Sequence, residues 1–407
     1  MKNNILIVID NISFNWEDFF KYTYNANNSY YLFSIGFTSD NLISDIKYND
    51  RYISDFINIV DVNDNYKSDE EEARNTYLKL VRDFPTFRLY KGQSVFDILQ
   101  YQDVNLWWYL QITEKSIWVS KMVHRLHAYY RFKKIFAKYD INSVNLHISD
   151  LVLTQMYQNL LISKNIYFKN KTNTLLEFKH TYLYIILKYL RNTTYYVTYN
   201  IIIKFLLAFT KTNYFTTENN GSIGIFSIYP SWWNNVHTIN PTDMFFNDIP
   251  DLLKKIRPVK YLVLLSGFSN IILSVKHSFL RKDKFVIINK YLTVSDILSI
   301  FNPLLLCKIL VIKNIVNKKA LFFVDGLDFS ILVKDEIIES LIDPTLFRNI
   351  LLDKALRHID FNNFSIMLYR LEFQTLERPL VANSRNKTKS IGLQHSAMSD
   401  NFLNYVF

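Results

Sequence analysis

Apolar residues along the chain alternate between short β-branched runs and longer stretches with helical periodicity. In the first 170 residues, five short runs predict strands: Ile5 to Ile9, Tyr31 to Ile35, Ile57 to Val60, Val144 to Ile148 and Ile166 to Phe168. Between them, apolar positions at helical spacing predict an amphipathic helix over residues 121–139. Asp150 is typical of a helix N-cap and predicts a helix running toward Leu161.

The pattern begins again after the polar run 216–221. Six further runs predict strands: Ile223 to Ile228, Val259 to Leu265, Phe285 to Ile288, Leu321 to Val324, Ser365 to Leu368 and Ser390 to Leu393. Helices are predicted between them over residues 243–256, 294–301 and 335–360, the last interrupted by Pro344. Such alternation is typical of α/β proteins with parallel sheets. The simplest architecture is two Rossmann-like domains, residues 1–170 and 219–407, joined by a helical insert at 171–218.

The insert is both basic and apolar. Between Lys169 and Lys211 the chain has seven basic residues against one acid, so this window carries +6 of the net charge of +10. A membrane-spanning helix needs about 20 apolar residues with few charges, and Lys188, Arg191 and Lys204 interrupt the run. Two interpretations stay open. The helix lies in the surface of an anionic membrane with those three residues reaching the head groups, or it packs on the protein with its basic residues solvated.

Composition narrows the classes of protein further. Apolar residues make up 49% of the chain, which excludes wholesale disorder. The single cysteine, Cys307, excludes a disulfide scaffold, fits a reducing compartment and is interpreted as a small core residue. The first apolar run ends at Asp10 and is too short for an export signal, so a cytoplasmic location is expected. A pI near 9.2 also raises nucleic-acid binding, but the charge lies in an apolar segment and no nucleic acid is expected as partner.

Several catalytic motifs do not occur in the sequence. It has no glycine-rich dinucleotide fingerprint, no P-loop and no Asp-x-Asp, which disfavours dinucleotide enzymes, P-loop enzymes and metal-dependent sugar transferases. His124 and His127 stand three apart on a predicted helix without a third ligand, so a helix face is the preferred interpretation and no metal site is predicted.

The most suggestive polar residues lie near the end of the chain. Glu372 and Glu377 follow the strand at 365–368, and the strand at 390–393 is followed by Gln394, His395 and Ser396. In open α/β sheets, ligands bind outside the carboxyl ends of the strands. His395 could act as a general base or stabilise a departing phosphate, and Glu372 could act as the base instead. The alternative is that Gln394 and His395 only terminate a strand.

These segments resemble the bacterial surface-carbohydrate biosynthesis proteins, which are related to capsule and lipopolysaccharide glycosyltransferases of the GT-B type. The resembling segments, in order, are Asn105-Leu106-Trp107-Trp108 with Glu114-Lys115-Ser116, the apolar insert at 173–211, Phe226-Ser227-Ile228-Tyr229-Pro230, Glu372 with Glu377, and Ile391-Gly392-Leu393-Gln394-His395-Ser396. Asn105 replaces the usual Ser, and Leu376 stands where a Trp normally precedes the second glutamate.

The resemblance implies metal-independent transfer of a sugar from a nucleotide-sugar donor to a glycan or lipid-linked acceptor, at the inner face of the plasma membrane and without a cofactor. Glu372 and His395 would be catalytic. Glu377, Gln394, Ser396, Trp107 and Trp108 would bind substrate. Family members continue into a further donor-binding half, whereas this sequence ends at Phe407. On this resemblance the chain would be truncated, and two hypotheses remain: a glycosyltransferase, or a non-catalytic membrane-associated binding or scaffold protein of the same pathway.

Overall fold

The computed structural model describes residues 3–10, 24–35, 57–60, 66–90, 92–114, 120–170, 181–208, 221–236, 241–265, 267, 271–272, 275–276, 285–318, 322–324, 326–372 and 374–394. The chain divides into two compact units, each assembled from three segments. Unit 1 comprises residues 1–90, 117–185 and 312–338, and unit 2 comprises residues 91–116, 186–311 and 339–407. This interleaved division differs from the consecutive ranges that the sequence pattern predicts.

Unit 1 contains a five-stranded parallel sheet. Its strands are β1 (Asn4–Ile9), β2 (Ser29–Ser34), β3 (Ile57–Ile59), β4 (Ser143–His147) and β5 (Tyr167–Asn170), and their spatial order is β3-β2-β1-β4-β5. The helices α1 (Tyr66–Asp83), α2 (Lys121–Lys138) and α3 (Leu151–Ser163) belong to the same unit. All five predicted strands and both predicted helices are confirmed, with bounds within a few residues of those expected.

The core of unit 1 explains these elements. The last four residues of β1 are at most 1% exposed, as expected of a parallel strand covered on both faces. Phe132 of α2 stacks on Tyr157 of α3 with ring centroids 3.8 Å apart. Asp150 caps α3 as predicted, because its Oδ1 accepts the backbone N–H groups of Val152 and Leu153 at 3.0 and 3.1 Å.

Unit 2 contains a second five-stranded parallel sheet. Its strands are β6 (Ser222–Tyr229), β7 (Val259–Leu265), β8 (Phe285–Ile287), β9 (Phe364–Arg370) and β10 (Lys389–Leu393), in the order β8-β7-β6-β9-β10. When the five strands of each sheet are numbered along the chain, both sheets therefore have the spatial order 3-2-1-4-5. The chain is an α/β protein, as the sequence predicts.

Five longer helices follow between residues 182 and 384 in the described part of the chain. They are α4 (Tyr182–Ala208), α5 (Pro303–Lys318), α6 (Ser330–Ile342), α7 (Pro344–Arg357) and α8 (Glu377–Ser384), with short helical turns at Ile249–Leu253 and Val294–Leu298. The chain passes from one unit to the other within α4, α5 and α6. Among the described residues, one stretch, Val294–Asn314, is apolar and long enough to cross a membrane by length and composition, and 28% of it is buried.

The structure corrects three sequence predictions. The strand expected at 321–324 is a two-residue strand, Phe323–Val324, which pairs antiparallel with Leu327–Asp328 outside both parallel sheets. The helix expected at 243–256 is limited to Ile249–Leu253, because Thr242–Asp243 pairs as a short strand with Trp233–Asn234 and Asn247 has a positive φ of 41°. Cys307 is exposed rather than in the core.

In both sheets the direction in which strands are added reverses beside the strand that comes first in the chain, and this place is called the switch point. In unit 1 it lies between β1 and β4, and in unit 2 between β6 and β9. Loops at the carboxyl ends of such strands diverge and leave a crevice in which ligands bind. Polar residues just beyond these strand ends are therefore the first place to look for a site.

Candidate functional site

Arg370 ends β9 at the switch point of unit 2. Its side chain is 8% exposed, and its guanidinium carbon lies 4.1 Å from the ring centre of Trp232 and 4.4 Å from that of Phe245. One Nη2–H donates to Gln374 Oε1 at 2.6 Å, and Glu372 Oε2 lies 3.5 Å away. Burial lowers the pKa of Arg370, opposed by the neighbouring carboxylates, of which Glu372 has the largest effect. The strand end thus holds a buried cation beside the predicted catalytic Glu372.

The two predicted glutamates are in direct contact. The Glu377 carboxylate accepts the backbone N–H of Glu372, at 3.1 Å to Oε1 and 3.2 Å to Oε2. Glu377 is 3% exposed at the start of α8, where a carboxylate is favourable because of the helix dipole. Gln374 Nε2 also donates to Glu372 Oε2 at 3.4 Å. Glu377 therefore fixes the turn that carries Glu372.

Residues 105–114, which include Trp107 and Trp108, contact this turn, although Glu114 and Thr375 are 261 residues apart in the sequence. Glu114 Oε1 accepts both the N–H and the hydroxyl of Thr375, at 3.0 and 2.7 Å. Arg378 donates to the carbonyl of Trp108 at 2.6 Å and to the hydroxyl and carbonyl of Thr113 at 2.5 and 2.7 Å. Two segments singled out separately in the sequence are therefore joined by five hydrogen bonds within unit 2.

A pocket of about 840 Å³ opens between these segments and α7, and we call it the Trp108 pocket. Its lining residues include aromatic, acidic and basic side chains: Asp103, Trp108, Tyr109, Asp353, Arg357, Tyr369, Gln374, Glu377, Arg378, Asn383 and Arg385. The volume lies within the range of about 300–1,000 Å³ that is typical of small-molecule sites. Trp108 is 49% exposed, with the guanidinium carbon of Arg378 5.6 Å from its ring centre, and so presents an accessible aromatic surface.

The lining of the pocket also includes a polar network around Asp353. Asp353 is 4% exposed and accepts from Arg357 Nε and Asn383 Nδ2, each at 2.9 Å. Arg357 also donates to Asp103 Oδ2 at 2.8 Å. Burial lowers the pKa of Arg378 to about 10, and the group stays charged at neutral pH. The pocket therefore combines an exposed indole with ordered carboxylate, amide and guanidinium groups.

Close packing against β10 explains why the Ile-Gly-Leu-Gln-His segment has a glycine, Gly392, at its second position. A Cβ at this position of β10 would lie 2.8 Å from Leu371 Cβ and 3.0 Å from the ring of Tyr369. Tyr369 and Leu371 both line the Trp108 pocket. Because glycine has no side chain, this wall of the pocket can lie directly against the edge strand.

The structure brings together only some of the predicted site residues. Trp108 and Glu377 line the pocket, and Glu372 contacts Glu377. Trp107 does not line it; its side chain is 3% exposed and belongs to the core. Gln394 is exposed directly after β10. His395 and Ser396 lie outside the described residues, so their predicted roles remain predictions.

The predicted membrane-surface residues lie on α4 and mostly contact protein. Lys188 Nζ pairs with Glu339 Oε2 at 2.5 Å, and its side chain is 17% exposed. Lys204 Nζ donates to the carbonyl of Leu292 at 2.7 Å. Arg191 is exposed, and its Nε donates to Asn192 Oδ1 at 3.2 Å. Their predicted role at a membrane remains a prediction.

Sequence reasoning missed Arg378, Asp353 and Asn383. Arg378 directly follows the predicted Glu377, so the signal was a basic residue in the first turn of a short helix, where a cation needs another partner because it opposes the dipole. Asp353 and Asn383 give no comparable signal, because each lies within a helical pattern and reaches the pocket only through tertiary packing.

Within the described residues, no group of three or more His, Cys, Asp or Glu side chains could hold a metal ion. His127 on α2 is instead a largely buried imidazole. Burial, together with the charge of Arg131, lowers its pKa to about 4. It is therefore neutral at pH 7.

No protein-family model, no curated protein and no solved structure matches this chain significantly.

Proposed function

We propose that the protein is a glycosyltransferase-like protein of bacterial surface polysaccharide biosynthesis and that the Trp108 pocket binds a glycan. The carrying observation is the convergence of residues 105–114 and 372–378 on one pocket. A sugar has an apolar C–H face and a rim of hydroxyl groups. The exposed Trp108 ring suits the face, while Asp353, Asn383 and Glu377 suit the hydroxyls.

The proposed reaction transfers a sugar from a nucleotide-sugar donor to a glycan or lipid-linked acceptor, in Rossmann-like units of the GT-B type and without a metal or other cofactor. Glu372 would take the acceptor proton as general base, or His395 would do so from the end of β10. Glu372 lies beside the pocket wall because Glu377, which lines the pocket, binds its N–H. The strand order 3-2-1-4-5 in both units supports the Rossmann-like assignment.

Replacing Trp108 with Ala is expected to weaken glycan binding about 10-fold, because an aromatic contact contributes roughly 0.5–1.5 kcal/mol beyond the area buried. Titration calorimetry with a panel of short surface glycans and nucleotide sugars measures it. The matched control is Tyr167→Ala, which removes another exposed aromatic side chain, 65% exposed, from unit 1. Equal binding by wild type and Trp108→Ala would remove the pocket from the proposal.

The same titrations separate the enzyme from the binding or scaffold protein. Saturable binding of a nucleotide sugar that is lost in His395→Ala supports the enzyme. Binding of glycan alone, with no nucleotide sugar bound at millimolar concentration, supports the scaffold.

A membrane-associated protein is favoured by a specific surface of unit 2, which we call the apolar face. It comprises side chains between 38% and 63% exposed on α4 and on residues 294–301: Leu187, Leu190, Tyr195, Ile201, Phe205, Val294, Leu298 and Phe301. The two segments are held together because Tyr189 Oη donates to the carbonyl of Ile300 at 2.8 Å and Lys204 to that of Leu292. Large exposed apolar patches mark membrane or protein interaction sites.

The structure changes the physical basis of the membrane proposal. Lys188 and Lys204 already have protein partners, so apolar burial rather than charge would supply most of the attraction. We expect Leu187→Ser/Phe205→Ser to abolish co-sedimentation with phosphatidylglycerol-containing liposomes. Replacing Lys188, Arg191 and Lys204 with Ser should remove only the part of the co-sedimentation that is sensitive to salt. Wild-type co-sedimentation that the Leu187/Phe205 variant retains would contradict this role of the apolar face.

A further inference from the structure

We propose that a second cavity of unit 2 binds a short-chain carboxylate through Arg348. This Arg348 cavity has a volume of about 100 Å³ and lies between α4 and α7, outside the carboxyl end of β7. Its walls include Tyr195, Tyr196, Leu265, Arg348 and Leu352. It shares no lining residue with the Trp108 pocket and does not depend on the proposed function.

The guanidinium of Arg348 is the chemical reason for a ligand. Its Nε–H is buried and has no hydrogen-bond acceptor among the described residues, although a buried donor left unpaired destabilises the folded state. Arg348 is the one ionised group among the lining residues of the cavity. Its charge also acts on the cavity wall. Burial raises the pKa of Tyr196 to about 12, and the positive charge of Arg348 partly offsets that rise.

The two asparagines of the wall are occupied by each other and by backbone groups. Asn289 donates from Nδ2 to Asn200 Oδ1 at 3.1 Å and accepts the N–H of Leu265 at 2.8 Å. Asn200 Nδ2 donates to the carbonyl of Tyr196 at 2.9 Å. These bonds fix the wall and leave Arg348 as the principal partner for a ligand.

Charge and size together select the ligand class. One guanidinium neutralises one negative charge and matches the two oxygens of a carboxylate through paired N–H groups. A doubly charged phosphate would leave one charge unpaired in a cavity lined mostly by aliphatic and aromatic side chains, at a large desolvation cost. A cavity of about 150 Å³ holds benzene, so 100 Å³ accommodates a carboxylate with only a few carbon atoms. Leu264, Leu351 and Ala355 suit that short apolar chain.

Butyrate, with butyramide as its neutral isostere, tests the proposal on the full chain. Saturation-transfer NMR titrations should show millimolar butyrate affinity, with butyramide and inorganic phosphate binding at least about 10-fold more weakly, because a charge-assisted pair is lost or mismatched. Arg348→Gln should weaken butyrate binding by about 10-fold or more. Arg385→Gln, which removes an exposed arginine from the other pocket, should leave it unchanged.

A second variant protects the test against an effect on folding. Ala355→Leu fills the cavity while keeping the guanidinium, and it should also abolish butyrate binding, with thermal unfolding of the unliganded variant as the check. Trp108→Ala should bind butyrate normally, so failure of the glycan proposal and failure of this one are distinguishable. The proposal is overturned if wild type shows no binding by about 50 mM, a concentration that corresponds to under 2 kcal/mol, or if Arg348→Gln binds equally well.

Discussion

Replacing Arg378 with Leu is expected to reduce glycan binding about 100-fold and to lower the free energy of unfolding by about 3 kcal/mol. The substitution leaves the carbonyls of Trp108 and Thr113 and the Thr113 hydroxyl without their donors. The two bonds to Thr113 are partly buried, and an unpaired buried polar group costs roughly 1–3 kcal/mol. Because Arg378 holds the backbone of Trp108, the indole should also lose its fixed position at the pocket.

The matched control is Arg385→Leu, because Arg385 lines the same pocket but is exposed. It should leave the free energy of unfolding unchanged and should alter glycan affinity only slightly. Calorimetric titration measures the glycan affinity, and urea denaturation measures the free energy of unfolding. If Arg378→Leu and Arg385→Leu behave alike, the guanidinium of Arg378 does not organise the pocket.

The second large effect is expected in unit 1. Arg125 is 8% exposed and bridges two acids, with its Nε 2.7 Å from Asp150 Oδ2 and its Nη1 2.5 Å from Asp335 Oδ2. Removing one member of a buried ion pair leaves an uncompensated charge and costs about 3–5 kcal/mol. Arg125→Leu is therefore expected to lower the free energy of unfolding by about that amount.

Arg82→Leu is the comparison for this prediction. Arg82 also pairs with an acid, Asp83, at 2.7 Å, but its side chain is 74% exposed. Exposed pairs contribute little because water screens the two charges, so urea denaturation should detect little change. An Arg125→Leu protein as stable as Arg82→Leu would show that the triad of Arg125, Asp150 and Asp335 does not stabilise unit 1.

The sequence predicted the sheets well because their signal is local. The central strands of the two parallel sheets are covered on both faces, so they need short and mostly apolar runs, as in β6, where all eight residues are buried. Asp150 was predicted as an N-cap for the same reason, since a cap acts on the next three residues. The strand expected at 321–324 and the helix expected at 243–256 are both shorter than predicted, and they show the limit of local patterns. There, pairing of Phe323–Val324 with Leu327–Asp328 and of Thr242–Asp243 with Trp233–Asn234 decided the backbone.

The candidate site was predicted only in part, because its residues meet by tertiary contact. Motif resemblance indicated Trp108, Glu372 and Glu377 separately, and the structure joins their segments through Glu114, Thr375 and Arg378. Periodicity could not show that Trp107 points into the core while Trp108 is exposed. Nor could it show that Lys188 pairs with Glu339, 151 residues away.

The long-range joining of the Trp108 pocket has a consequence for synthesis of the chain. Glu114 leaves the ribosome 261 residues before its partner Thr375. At roughly 5–20 residues per second, that interval is about 13–50 s. During this interval, part of the core that covers Leu106, Trp107 and Leu110 has not yet been synthesised. These three residues are at most 3% exposed in the folded protein. Nascent chains of this protein should therefore need chaperone protection between residues 116 and 375, and the pocket forms among the last features of the fold.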